Sequence, residues 1–443
     1  MGVCSRRAGA SPLEKVRASR VKISRGKVPA LPKGQMLRGV ANLSNQGRGR
    51  FSLKKLRGGY TTGACAAAGA LAALKFLRGE DCPALEIEAL DGTMLQIPVK
   101  AVRPVEGGAT AEIVKFSGDD PDITNGASVF TMLQKGAAGQ GLVFRAGRGV
   151  GHVTKPGLQI PVGEPSINPG TRKLIARVLA RELGIDVSGE AGGAAAQGNG
   201  ASSDVDWVAL MAKLDFTVTI SIPAGVELAK QTLNPVLGVE GGISVIGTTG
   251  VLRPMSEEGF KNSLVPQIDV ALAAGFEDIV FVPGKIGEKL AAKIGLPPQA
   301  LVQTSNFIGF LLDAAAEHGA KRVLLLGHIG KLVKVAAGNF YTHNRISDAR
   351  LETLAAYAAA EGLDQKGVQA ILSANASEDA LEIIDGAGLQ NVYTVLAERA
   401  SARSERHVFG KLKVGTVLLT YSGRVLGMDE AAKEIGRHLG WKL

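Results

Sequence analysis

The chain has 443 residues, enough for two domains of ordinary size, with 45% hydrophobic and 5% aromatic residues, 58 glycines and a formal net charge of +10. This composition excludes a fibre or a wholly disordered chain, and no apolar run approaches the roughly 18 residues of a bilayer span. The three cysteines, Cys4, Cys65 and Cys82, form no CxxC pair, which argues against a disulfide framework or a cysteine zinc site and fits a reducing cytoplasm.

The positive charge has a location. Residues 1–57 hold fifteen of the 51 Lys and Arg but only one acid, Glu14, which leaves 36 basic against 40 acidic residues for the remainder. The folded body is therefore slightly acidic. Residues 1–50 read as a basic, disordered extension, with Met36 as an alternative start and an arm for acidic partners as the functional reading. They lack the apolar stretch of a secretory signal. Basic and aromatic residues do not interleave as they do on nucleic-acid surfaces, so no nucleic-acid partner is expected.

The next segment, LRGGYTTGACAAAGALAAL at 56–74, places glycines and threonines before a run of small side chains. Either a ligand or a neighbouring helix comes close to it. Cys65 reads as a small packed residue, with a nucleophile at a helix start as the alternative. Alternating apolar residues over Leu85–Ile97 and Ala109–Val114 predict strands, with a hairpin turn at Asp91–Gly92. Asp119, Asp120 and Asp122 in GDDPDITNGA read as turn chemistry, with metal ligation as the alternative. GRGVG at 147–151 has the wrong spacing and no following helix for a dinucleotide loop. NPGTRKLIARVLAREL predicts a helix with Asn168 as N-cap, Pro169 at the first position and Gly184 as the stop. Residues 191–203 read as a flexible Ala/Gly/Ser insertion. These features give an N-terminal α+β domain over 51–235.

From Val236 the pattern becomes strand, loop, helix, which predicts a Rossmann-like α/β domain over 236–443 with a mostly parallel sheet. Strands are expected at 243–247, 278–282, 300–304, 322–326, 392–396 and 416–421. Parallel sheets bind ligands beyond the carboxyl ends of their strands. Here those ends read Gly247-Thr248-Thr249-Gly250, Pro283-Gly284-Lys285, Thr304-Ser305-Asn306 and Gly327-His328-Ile329-Gly330-Lys331, so a lined pocket for a polar ligand is expected. The following stretch adds Lys334, Thr342, His343, Asn344, Arg345, Asp348 and Arg350, groups suited to holding an acidic ligand.

Together these blocks, with GVGHVTKPGLQIPVGEPSINP, ISIPAGVELAKQTLNP, GVEGGISVIGTTGVLRPMS, SNFIGFLLDAA and GHIGKLVKVAAGNFYTHNRISDARLE, resemble the cobalt-precorrin-5B (C-1)-methyltransferase family of anaerobic cobalamin biosynthesis. The match runs from about Leu56 to near the C-terminus; the basic extension and the 191–203 insertion depart from it. The resemblance implies methyl transfer from S-adenosylmethionine to carbon 1 of a cobalt-bearing tetrapyrrole, giving cobalt-precorrin-6A, with cobalt arriving in the substrate and no protein metal site. A non-catalytic corrinoid binder and a small-molecule kinase are the alternatives. With it, the strand ends assign the methyl donor to Gly247, Thr248, Thr249, Gly250, Ser305 and Asn306. The tetrapyrrole falls to Tyr60, Thr61, Thr62, Lys285, His328, Lys331, His343, Arg345, Asp348 and Arg350. No residue is singled out as catalytic.

Overall fold

A computed structural model describes residues 56–187, 205–254 and 257–443; the expected basic extension and the 191–203 insertion lie outside these. A short strand, β1 (Gly59–Tyr60), leads into helix α1 (Thr62–Leu77), whose start is capped by the Thr61 hydroxyl accepting from the Ala64 N–H at 3.1 Å. Residues 62–74 of this helix are all buried. Its small side chains let neighbours approach closely: a Cβ on Gly69 would lie 2.7 Å from Thr131 Oγ1, and one on Gly63 would collide with Thr171 Oγ1. Close packing is thus the reason for the small residues. Cys65 belongs to that packing, fully buried, with its thiol pushed up to about 12 by burial, so it is no activated nucleophile.

The hairpin of β2 (Ala84–Glu88) and β3 (Met94–Pro98) forms as expected, with Gly92 in the left-handed region at φ +82°. A five-stranded sheet follows from β4 (Ala101–Val105), β5 (Gly108–Val114), β6 (Ser128–Lys135), β7 (Val143–Ala146) and the later β8 (Phe216–Ser221), in the order β4-β5-β6-β8-β7. All its pairings are antiparallel except β7 with β8. Ala109, Ala111 and Ile113 alternate inward with Val129, Thr131 and Leu133 to meet α1. Helix α2 (Pro169–Glu182) lies beside α1 and buries Leu174, Ile175, Val178 and Leu179. It stops where Gly184 takes φ +68°.

Beyond α3 (Glu257–Leu264) and α4 (Pro266–Ala273), strands and helices alternate: β9 (Asp278–Val282), α5 (Lys285–Lys293), β10 (Leu301–Gln303), α6 (Ile308–Glu317), β11 (Arg322–His328) and α7 (Ile329–Ala336). Helices α8 (Arg350–Ala360), α9 (Ser377–Gly386) and α10 (Asn391–His407) then precede β12 (Lys413–Leu419), β13 (Val425–Met428) and α11 (Glu430–His438). The sheet order is β10-β9-β11-β12-β13, parallel except for the β13 edge. Its strands read as unbroken apolar runs because both faces are covered. Ile279, Phe281, Val323 and Leu325 pack with α6 and α7, whereas Val280, Val282, Leu324 and Leu326 pack with α5 and α11. A separate core lies around α1, α2 and the first sheet.

Two expected strands are corrected. Residues 392–396 lie inside α10, where Val392, Tyr393, Leu396, Ala397 and Ala400 are buried at helical spacing. Of 243–247, only Ile243 enters a strand, Gly242–Ile243, which pairs with Gly149–Val150 outside the parallel sheet. GRGVG is thus a glycine crossing point: a Cβ on Gly151 would lie 2.5 Å from Val239 Cγ1.

Candidate functional site

In the order β10-β9-β11-β12 the chain runs outward from β9 to β10, then returns past β9 to β11. The crevice of such a sheet opens at that reversal, between the carboxyl ends of β9 and β11. Lys331, in the first turn of α7, reaches this place: its ammonium donates to Pro283 O at 2.7 Å and to Ser305 O at 3.2 Å. One carbonyl ends β9 and the other follows β10. Ser305 holds the left-handed conformation at φ 54°, a strain of roughly 1 kcal/mol for a non-glycine residue.

A second lysine one turn on, Lys334, is fully buried and donates to Thr342 O at 3.0 Å and Asn344 Oδ1 at 2.6 Å. The Thr342 N–H in turn donates to Asn306 O at 2.9 Å. The segment after α7 is thereby tied back onto the end of β10. Among the described residues neither ammonium has a carboxylate within ion-pair distance. Burial lowers both lysines from 10.5; the Lys334 charge adds to the effect at Lys331, while at Lys334 Arg350 adds to it and Asp348 opposes it. Nearby, the Thr304, Thr342 and Ser377 hydroxyls are buried without a hydrogen-bond partner. Two cations held by carbonyl and amide oxygens thus stand with buried hydroxyls that have no partner among the described residues.

His328 caps α7. Its Nδ1 accepts from the Gly330 N–H at 3.1 Å, which leaves the proton on Nε2, facing Glu378 Oε1 at 3.0 Å. Its ring stacks on Tyr421 at 3.9 Å, and the Tyr421 N–H donates to the same carboxylate oxygen at 2.7 Å. Burial holds the imidazole below 6.5 against the pull of Glu378, helped by Arg350 and Lys331. With both nitrogens engaged, His328 is a neutral cap of α7. Glu378 and Tyr421 were missed from sequence. Tyr421 closes the expected strand 416–421, whose end is not among the four expected to line the pocket, and sits just past β12; Glu378, fifty residues from its partner His328, had no local signal.

The remaining expected residues fall in two places. His343 Nδ1 accepts from the Arg345 N–H at 3.1 Å, Arg345 is exposed, and Arg350 grips Asp348 through bonds of 2.7 and 3.2 Å. Lys285 is exposed at the start of α5. By contrast, Gly247–Gly250 and Tyr60–Thr62 are joined to each other and belong to none of the strands of the parallel sheet. Thr61 N–H donates to Gly250 O at 2.9 Å, Leu90 N–H donates to Thr249 O at 2.7 Å, and the Thr62 hydroxyl both donates to Ile246 O and accepts from its N–H. Tyr60 is buried and donates its hydroxyl to Val114 O at 3.1 Å. A Cβ on Gly170 would lie 2.5 Å from Gly247 O, so this loop is wedged against the starts of α1 and α2. Only Thr248 leaves its side chain exposed. In the acidic segment, Asp122 binds Lys115 at 2.8 Å and the Thr124 hydroxyl at 2.6 Å, and Asp119 binds Arg57, as a turn does.

A mixed α/β chain with a half-buried ammonium at the reversal of a parallel sheet has the strand-end arrangement at which folds of this class bind small molecules. The family model CbiD matches residues 50–254, and that of the CbiD C-terminal domain matches residues 341–430. The cobalt-precorrin-5B C(1)-methyltransferase of Moorella thermoacetica is 46% identical over 386 residues, covering 86% of this chain and 98% of that protein. Those of Desulfitobacterium hafniense and Methanocaldococcus jannaschii are 42% and 40% identical, covering 90% and 84% of this chain and 96% of each relative. A crystal structure of a cobalamin biosynthesis protein (cbiD) from Archaeoglobus fulgidus is 26% identical, covering 67% of this chain and 84% of its own, at a TM-score of 0.32. The chain belongs to the CbiD family of cobalt-precorrin-5B C(1)-methyltransferases.

Proposed function

We propose that the protein transfers the methyl group of S-adenosylmethionine to carbon 1 of cobalt-precorrin-5B, giving cobalt-precorrin-6A. The relatives' names give the substrate, cobalt-precorrin-5B, and the carbon that is methylated; the observation that supports the reading in this chain is Lys331, an ammonium with no carboxylate within ion-pair distance among the described residues, at the reversal of the parallel sheet. On this reading residues 51–235 form an α+β part and residues 236–443 a Rossmann-like part, the latter holding the donor. The residues fit such a donor: Lys331 would meet the carboxylate of its amino-acid end, and Ser305 and Asn306 would meet its ribose, because the end of β9 offers no acid for that role. Thr248 is the open member of Gly247–Gly250. Lys285, His343, Arg345, Asp348 and Arg350 are offered to the tetrapyrrole, with Tyr60, Thr61 and Thr62 as scaffold. The free thiols of Cys65 and Cys82 suit the cytoplasm.

A bound donor supplies a methyl on a sulfonium. The protein's task is to align the reacting carbons at about 3 Å and to exclude water, with little covalent help. Lys331 fixes one end of the ligand, while the His328–Glu378–Tyr421 stack keeps the start of α7 in place. The test is equilibrium binding of S-adenosylhomocysteine and of 5′-methylthioadenosine, which lacks the amino-acid end. Lys331→Met should weaken the first about tenfold or more and leave the second within about twofold. Equal binding of both by wild type and variant would sink this placement of the donor.

A further inference from the structure

Helix α5 carries Lys285, Lys289 and Lys293 at four-residue intervals, about 6 Å per step along one side. All three are exposed, and among the described residues none has an ion-pair partner. With Ile286 and Leu290 they form one wall of a cleft of about 170 Å³ whose other wall is Tyr421, Ser422 and Gly423, the turn between β12 and β13.

That second wall is tied down by stacking and hydrogen bonds. Tyr421 is 64% exposed, yet its ring is stacked on His328 and its N–H is bound to Glu378. Ser422 Oγ lies 2.8 Å from Thr420 Oγ1, which also accepts from the Arg424 N–H at 3.0 Å, and Gly423 takes φ +83°. A fixed aromatic face and a hydroxyl thus stand opposite three unpaired ammoniums. Among the described residues no acid lines the cleft; Glu288 lies on α5 itself, and Glu378, bound to the Tyr421 N–H, is engaged by His328. Through Tyr421 and His328 the cleft adjoins the crevice that Lys331 enters.

We propose that this cleft is a specificity subsite for the carboxylate-bearing rim of the tetrapyrrole, with the acid arms on Lys285, Lys289 and Lys293 and the ring edge over Tyr421. Its volume admits side-chain arms and not a whole macrocycle, so the ring remains over the strand ends. Substrates with amidated or missing arms bind more weakly because they form fewer of these ion pairs. The proposal rests on the tetrapyrrole reading of the preceding section.

The probes are uroporphyrin, a tetrapyrrole with eight carboxylates, and S-adenosylhomocysteine, both titrated against the full chain at low salt. Lys289→Glu with Lys293→Glu should weaken uroporphyrin about tenfold or more and flatten the salt dependence of its binding. The affinity for S-adenosylhomocysteine should stay within about twofold. A control pair on distant exposed lysines, Lys366→Glu with Lys411→Glu, should leave uroporphyrin within about twofold. Lys289→Arg with Lys293→Arg should bind like wild type, which also guards against a folding defect. Unchanged uroporphyrin binding in the Glu pair, or an equal loss in the control pair, overturns the subsite. If the Glu pair loses uroporphyrin but the wild type transfers no methyl group, the subsite stands and the enzymatic reading falls. Transfer that is indifferent to the Glu pair has the opposite meaning.

Discussion

Lys331 illustrates what a single buried charge costs and provides. Its carbonyl partners satisfy two donors but not the charge, so the folded state holds the proton less tightly than the unfolded chain does. A lowered native value means that the unfolded state binds more protons between that value and 10.5. Stability should therefore rise with pH across this window, and the rise should be smaller in Lys331→Met, as measured by denaturant midpoints from pH 8 upward. The substitution also strips Pro283 O and Ser305 O of a donor, so the net change at neutral pH should stay within about 2 kcal/mol. Asp122 shows the opposite sign. Although its burial opposes ionisation, the Lys115 ammonium and the Thr124 groups hold its carboxyl below 3.8. Its contribution is complete above 3.8 and is lost as pH falls through the native value. Asp122→Asn should cost about 2 kcal/mol at pH 7 by leaving the buried Lys115 without its acid, and should flatten the acid limb of the stability curve.

At the scale of elements, the small-residue helix makes a prediction about packing. Gly170→Ala places a methyl 2.5 Å from a backbone oxygen of Gly247, which a side-chain rotation cannot relieve. It should destabilise the chain by about 1–3 kcal/mol in chemical denaturation, whereas Gly284→Ala, whose Cβ meets nothing within 4 Å, should be nearly neutral. The elements read correctly from sequence were those with unambiguous punctuation: the Asp91–Gly92 hairpin, the Asn168–Pro169 helix start and the apolar runs of β9, β11 and β12. Val392–Leu396 misled because five residues rich in β-branched and aromatic side chains look alike in a strand and on the buried side of a helix. The Gly247–Gly250 turn misled for a related reason. Such a turn serves equally at a sheet's edge or wedged against helix starts, and the difference lies in Gly63, Gly170 and Thr171, distant in sequence. Of the four expected polar strand ends, three follow strands of the parallel sheet and one does not. Ser305, His328 and Lys331 converge at its crevice, but the partners that fix them, Glu378 and Tyr421, arrive through tertiary packing.

At the scale of the whole molecule, the CbiD family model begins at residue 50, and the charge of residues 1–50 sets them apart from the body. Removing them should leave methyl transfer and the melting temperature unchanged, measured on the truncated and full chains side by side. On the proposed function this body, with the Lys331 ammonium at the reversal of its parallel sheet, methylates one carbon of a cobalt tetrapyrrole. The most direct test supplies S-adenosylmethionine carrying a ¹³C-methyl group and cobalt-precorrin-5B under anaerobic, reducing conditions, and locates the label by NMR of the product. The result expected is one labelled methyl on carbon 1 with one S-adenosylhomocysteine released per methyl, and at least a tenfold loss of rate in Lys331→Met. Label on another carbon, or none in the tetrapyrrole while the folded protein binds it, would contradict the account.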